Sequence, residues 1–286
     1  MKLLRVGEAF REIPAVIASD GTGYNASTVA EDDYAPSFWK SDGLNRLRSA
    51  LDNHLLPRIE LDGVRTGAPI VRPEKVVCIG LNYRDHAAES GVPVPAEPIV
   101  FFKAPNTVIG PNDGVLLPVG GMKVDWEVEL GVVIGKRCRY LESRDAALQA
   151  VAGYCVSNDV SERAFQLERG GQWVKGKSCE TFNPLGPYLV TPDEIADVSS
   201  LSMRLDVNDQ RMQDGNTRDM VFSVSHIVWY LSQLMVLEPG DLINTGTPAG
   251  VGLGLNPPRY LQEGDVMELS IEGLGTQRQV TSRAIP

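Results

Sequence analysis

The chain has 286 residues, is 43% hydrophobic and 22% charged, and carries a formal net charge of −10. That composition is ordinary for a globular protein and long enough for one large core, or for a core plus a small unit. The acidic balance excludes nucleic acid and anionic membrane as the main partner, so an anionic ligand would need locally placed cations. No apolar run approaches the length of a membrane span, and MKLLRVGEAFREI meets charges too early for a secretory leader, so a cytoplasmic protein is expected. Cys78, Cys138, Cys155 and Cys179 are far apart with no Cys-x-x-Cys, which speaks against a disulfide framework and a zinc ribbon.

In chain order, Lys2–Val6 and Ala15–Ala18 read as short strands, the second closed by Asp20-Gly21. A helix is predicted over Ser41–His54, with Ser41 as N-cap, Leu44, Leu47, Leu51 and Leu55 on one face, and Pro57 as the stop. The Gly67–Pro73 linker divides residues 1–70, a small N-terminal domain, from a second unit over 71–286. Strands are predicted there at Val76–Gly80, Pro98–Lys103, Trp126–Ile134, Ala152–Ser157, Leu185–Val190, Met203–Val207, Leu242–Asn244 and Val266–Ile271. Asn208-Asp209 occupies a hairpin position, and helices fit 83–89, 143–150 and 223–235. Because strands and helices do not alternate, the expected class is α+β with a curved, largely antiparallel, mostly-β core.

One predicted strand carries unusual chemistry. Between Val124 and Ile134 the even positions are apolar, whereas 125, 127 and 129 are acidic. Strand side chains alternate, so Glu127 and Glu129 share a face about 7 Å apart at the backbone. Two like charges at that distance repel by about 2 kcal/mol at an intermediate dielectric, and a bound cation would reverse the sign. Alternation by itself favours a solvated strand face over a site. Asp159, at the end of the Ala152–Ser157 strand, would add a third carboxylate; three carboxylates with waters suit Mg²⁺ or Mn²⁺, not zinc.

His54 and His226 read as structural, but His86 stands three residues before Glu89 in GLNYRDHAAESG. On a helical turn that spacing puts imidazole and carboxylate on one side, either as a surface pair or as an oriented base. Lys177, Arg163 and Gln166 bring cations and an amide close to the Asp159 segment. The loop GTPAGVGLG (246–254) follows a strand as a phosphate cradle would, yet it lacks the Gly-Lys-Ser/Thr ending and meets Pro257-Pro258 where a helix should start. It is not a Walker loop, although its N–H groups could hold a carboxylate.

Taken together, GLNYRDHAAE, FFKAPN, DWEVELGVVIG, SNDVSERAFQ, GKSCETFNPLGP, QDGNTRDMVFSV and GDLINTGTPAGVG occur in the order typical of the fumarylacetoacetate hydrolase superfamily, which the chain resembles from about residue 71 to the end. The preceding segment resembles the N-terminal extension of the subgroup containing acylpyruvases and 2,4-diketo-3-deoxy sugar-acid hydrolases. The resemblance implies a β-roll core, a homodimer or higher homo-oligomer, and a Mg²⁺ site, with Mn²⁺ as the second candidate. It implies Glu127, Glu129 and Asp159 as metal ligands, and His86 with Glu89 as a water-activating dyad on a lid helix. Lys177, Arg163 and Gln166 would polarise or orient substrate, and Thr247 would bind its carboxylate. The implied reaction is hydrolysis of a carbon–carbon bond in a 2,4-dioxo acid, a small 2-oxo acid such as 2,4-diketo-3-deoxyrhamnonate or its fuconate isomer, to pyruvate and a carboxylic acid. A lyase or isomerase of the same superfamily is the alternative: an oxaloacetate decarboxylase, a ureidoglycolate lyase or a keto–enol isomerase.

Overall fold

The structure, a computed structural model, describes residues 1–286. It is α+β with mostly strands and few helices. One large sheet runs in the order Gly23–Asn25, Ile13–Ile17, Lys2–Val6, Leu189–Val190, Val151–Asn158, Val128–Ile134, Leu242–Asn244, Val76–Gly80, Ile99–Lys103, with Thr66–Gly67 added beside Lys2–Val6. A second sheet runs Gln210–Asn216, Ser202–Val207, Val266–Ile271, Gly275–Arg283, Val115–Leu117. Pairing is antiparallel except at Leu242–Asn244 with Val76–Gly80, Gly275–Arg283 with Val115–Leu117, and Asn183–Pro184 with Val108–Ile109.

Val128–Ile134 lies near the middle of the large sheet and is buried along its whole length. Its even residues Val128, Leu130, Val132 and Ile134 join a core shared with Met203, Leu205, Met267 and Leu269 of the second sheet. Val133, on the other face, packs with Leu3, Val16, Phe38 and Leu47 of the N-terminal segment. The first 70 residues therefore share both a sheet and a core cluster with the rest of the chain. Between the sheets the ties are partly polar: Gln277 Nε2 donates to the carbonyls of Val156 and Gly186, each at 2.8 Å.

Several elements depart from their predicted bounds for identifiable reasons. The helix expected from Ser41 runs over Gly43–Asp52, because Ser41 instead closes a preceding helix, Pro36–Lys40, and the chain reverses at Asp42 with φ of 59°. The strand expected over Leu185–Val190 is reduced to Leu189–Val190, since Gly186 adopts φ of 115° and Pro187 has no N–H to donate. The strand expected over Trp126–Ile134 breaks: Val124–Asp125 pairs with Ser161–Glu162, and the ladder resumes at Val128. Asn208 and Asp209, with φ of 50° and 63°, make the tight hairpin turn their sequence predicts.

Removing the inter-sheet amide tests how much these ties contribute. Gln277→Leu should leave buried carbonyls unpaired and lower stability by about 2–3 kcal/mol. Urea unfolding monitored by tryptophan fluorescence would measure it.

Candidate metal centre and active site

The break in the strand places the acids. Register sets Val128 opposite Asn158 and Glu129 opposite Ser157. The Asn158 side chain accepts from Glu127 N at 3.2 Å, while Glu127 O accepts from Asp159 N at 2.9 Å. Glu127 and Asp159 are thereby held across from one another just beyond the ladder. Ligand atoms of Glu127, Glu129 and Asp159 lie within 4.8 Å of one another. Glu127 is 5% exposed, Glu129 2% and Asp159 0%, so the acidic face is not a solvated one.

These carboxylates belong to a buried chain of alternating charge. Arg163 Nε donates to Asp125 Oδ2 at 2.8 Å, and its Nη2 lies 2.8 Å from Glu127 Oε1 as an ion pair without hydrogen-bond alignment. Lys177 Nζ donates to Glu127 Oε2 at 2.7 Å and to Asp159 Oδ2 at 2.8 Å. Lys103 Nζ, fully buried, donates to the other Asp159 oxygen. Asp125, Glu127 and Asp159 are thus matched by Arg163, Lys177 and Lys103, and Glu129 is the acid left over. It makes no ion pair and accepts from Gly246 N at 2.8 Å.

The electrostatics follow. Burial alone would raise the Glu127 carboxyl, but Lys177, Arg163 and His86 outweigh it and hold it down at about 2. Burial pushes Glu129 well above its ordinary value, and Asp159 and Glu127 push it further. Lys177 is destabilised by burial but stabilised more by Asp159 and Glu127, which keep it charged. The residues fit a divalent cation: the donor set is all oxygen, and one buried carboxylate lacks a counter-charge.

The glycine-rich loop holds carboxylates after all, and they are the protein's own. Besides Gly246 N on Glu129, Gly250 N donates to Glu89 Oε1 at 2.9 Å, while Gly252 N and Leu253 N donate to Asp125 at 2.6 and 3.0 Å. Gly250 needs its positive φ of 100°, and a Cβ there would lie 1.9 Å from Met212 O. Gly254 leaves space for Glu89, whose Cδ would stand 2.2 Å from an added Cβ.

His86 and Glu89 lie on the helix Arg84–Glu89, with Nδ1 3.2 Å from Glu89 Oε2. Both open on a cavity of about 410 Å³ that is also lined by Glu127, Glu129, Arg163, Gln166, Lys177 and Thr247. Every predicted site residue except Asp159 lines it, and Asp159 stands directly behind, joined through Lys177. Two details differ from the expected roles. Gln166 accepts from Arg163 Nη1 at 3.1 Å. Thr247 Oγ1 donates to Val128 O and accepts from Gln213 Nε2, each at 2.8 Å, so its hydroxyl proton is already engaged by backbone. His226 stacks on Phe222 away from this cavity, and His54 lies exposed beyond the end of its helix.

Lys103 and Asp125 were not among the predicted site residues. Lys103 shares strand phase with Phe101, which lines the cavity, so period-two alternation through IVFFK was the available signal. Asp125 was visible as the third acid of its row, but only the loop and Arg163 separate it from the other two.

Against this geometry, residues 75–281 match the fumarylacetoacetate (FAA) hydrolase C-terminal family model. A Burkholderia multivorans protein, described only provisionally as a hydrolase, is 52% identical over 99% of this chain and 100% of its own length. The chain belongs to the fumarylacetoacetate hydrolase family. Among solved structures it is similar to fumarylacetoacetate hydrolase from Exiguobacterium antarcticum, at 34% identity and TM-score 0.84 over 99% of this chain and 100% of that one. It is also similar to maleylpyruvate hydrolase from Sphingobium sp. SYK-6 in complex with manganese(II) and pyruvate, at 29% identity and TM-score 0.81 over the whole of both chains.

Three outcomes follow from the charge pattern. A carboxyl raised on folding penalises the metal-free fold above its unfolded value near 4.5, and the penalty fades as pH falls toward that value. Glu129→Gln should therefore raise the melting temperature of metal-free protein at pH 7.5, with a smaller gain at pH 5. The same substitution should weaken the rise in melting temperature that Mn²⁺ gives the wild type. Lys103→Met should cost about 3–5 kcal/mol in denaturant unfolding, because it leaves Asp159 buried with half its pairing gone.

Proposed function

We propose that this protein is a metal-dependent hydrolase that cleaves a carbon–carbon bond in a 2,4-dioxo acid of acylpyruvate type, yielding pyruvate and a carboxylic acid. The observation that carries the reading is the His86–Glu89 pair at 3.2 Å, opening on the same cavity as the carboxylate trio. An enzyme that only decarboxylates or isomerises an enolisable acid has no need of an activated water, whereas hydrolysis does.

Glu127, Glu129 and Asp159 would hold Mg²⁺ or Mn²⁺, which when bound supplies a Lewis acid for the 2-oxo acid end of the substrate. Glu89, fixed by Gly250 N, orients His86 through Nδ1 and favours the tautomer with Nε2 free. His86 Nε2 then takes a proton from water as the water oxygen attacks the distal carbonyl carbon. The bond between that carbon and the adjacent methylene breaks, its electron pair passing to the pyruvyl fragment. Lys177 and Arg163, buried and charged, offset the negative charge that develops there. A proton returned to the methylene completes pyruvate, and the acyl fragment leaves as a carboxylate.

The assembly we propose is a homodimer or larger homo-oligomer, which light scattering would measure. The sugar-acid substrate that the resemblance implies would direct a polyhydroxylated tail along the cavity wall that holds Phe101 and Trp173.

Acylpyruvates supplied with Mn²⁺ should release pyruvate, and chelation should abolish it. His86→Ala should reduce that release by about 10²–10⁴-fold while retaining the Mn²⁺-dependent melting shift. Undiminished turnover of oxaloacetate in the same variant, with no hydrolysis by the wild type, would identify a decarboxylase instead.

A further inference from the structure

The cavity has two unlike halves. Most of its charge is buried: Glu127, Glu129, Arg163, Lys177 and His86 are each under 9% exposed, and Glu89, partly exposed, is already engaged by His86 Nδ1 and Gly250 N. Toward solvent the wall changes to Leu81, Val92, Phe101, Leu167, Trp173 and Leu253, all partly or largely exposed. The only hydroxyl in that outer half is Ser90. No cation faces it. Arg169 lies over the Phe165 ring with its guanidinium 4.0 Å from the centroid, Lys175 donates to Arg169 O at 2.6 Å, and Arg84 reaches Met220 O at 3.4 Å; none lines the cavity.

The outer wall is built rather than incidental. Trp173 meets Phe101 edge-on, with centroids 5.3 Å apart and planes at 65°. Lys177 Nζ sits 5.1 Å from the Phe101 centroid, which couples this wall to the charged base. Gly80 makes the room, since a Cβ there would stand 2.5 Å from the Trp173 ring.

Resting on the function proposed above, we infer that the acyl half of the substrate is apolar, an alkyl or aryl chain rather than a polyhydroxylated or carboxylate-bearing one, and that Trp173 and Phe101 select it. A 2-oxo acid end bound at the carboxylates and Lys177 directs the distal substituent along this wall. Each methylene buried there is worth about fourfold in affinity. A distal carboxylate or a row of hydroxyls would lose water and find no cation and a single hydroxyl in return.

Two measurements separate this inference from the reading on which it rests. In binding, competition calorimetry on Mn²⁺-loaded enzyme with 2-oxohexanoate, phenylpyruvate and 2-oxoadipate probes the wall without requiring cleavage. The two apolar-tailed acids should bind at least about tenfold more tightly than 2-oxoadipate, and Trp173→Ala should narrow that ratio severalfold. Gly80→Ala, which displaces the indole, should narrow it too. In turnover, kcat/KM for acylpyruvates with butyryl or benzoyl tails should exceed that for maleylpyruvate and for 2,4-diketo-3-deoxy sugar acids. Tighter binding of 2-oxoadipate, or a preference untouched in both variants, overturns the inference whatever is cleaved. The expected binding order with no cleavage of any acylpyruvate would leave it standing and remove the hydrolase reading.

Discussion

The structure depends on a line of buried charges that alternate in sign: Asp125, Arg163, Glu127, Lys177, Asp159 and Lys103. Each link is an ion pair between side chains no more than 6% exposed. Charges removed from water are tolerated only when matched and hydrogen-bonded, so the line must close on itself in sign. Six members cancel. Glu129 is a seventh, and its surplus charge makes this a place for either a proton or a cation. The capacity for metal chemistry thus comes from an imbalance of one in an otherwise neutral network.

What positions that imbalance is a loop, not a strand. The main-chain N–H groups of residues 246–253 fix Glu129, Glu89 and Asp125 separately, so the metal candidate, the partner of His86 and the anchor of Arg163 are all set by one backbone segment. A change in the loop would therefore be felt at all three. The three central carboxylates also differ in character for physical reasons: Glu127 is held down by two adjacent cations, whereas Glu129 is pushed up by burial and by its neighbours. One fold presents an ionised acid and a readily protonated one side by side.

Where the sequence was legible, the cause was a simple period. Val76–Gly80, Leu242–Asn244 and Val266–Ile271 fall at their predicted bounds because apolar, β-branched runs have few alternatives in a mostly-β chain. Gly275–Arg283 escaped notice because its inward residues are Gln277, Gln279 and Thr281, while Val280 faces solvent. Its hydropathy pattern is inverted by the amide ties that join the sheets. The acidic row at 125–129 was readable as alternation, but not the break at Trp126–Glu127 that turns Asp125 toward Arg163 and Glu127 toward Asp159.

By itself, then, the amino-acid order determined the class of fold, the family, and the identity of the residues gathered at the site, because alternation, spacing and motif order are local properties of the chain. Tertiary structure alone decided what those residues do to one another. It made Lys103 and Asp125 members of the charge network, engaged the Thr247 hydroxyl with backbone, and left Glu129 without a counter-ion. Those outcomes depend on burial and on contacts between segments far apart in the chain, such as the donation from Leu253 N to Asp125 across 128 positions. Charge is a local attribute of a residue, whereas its compensation is a property of the space around it.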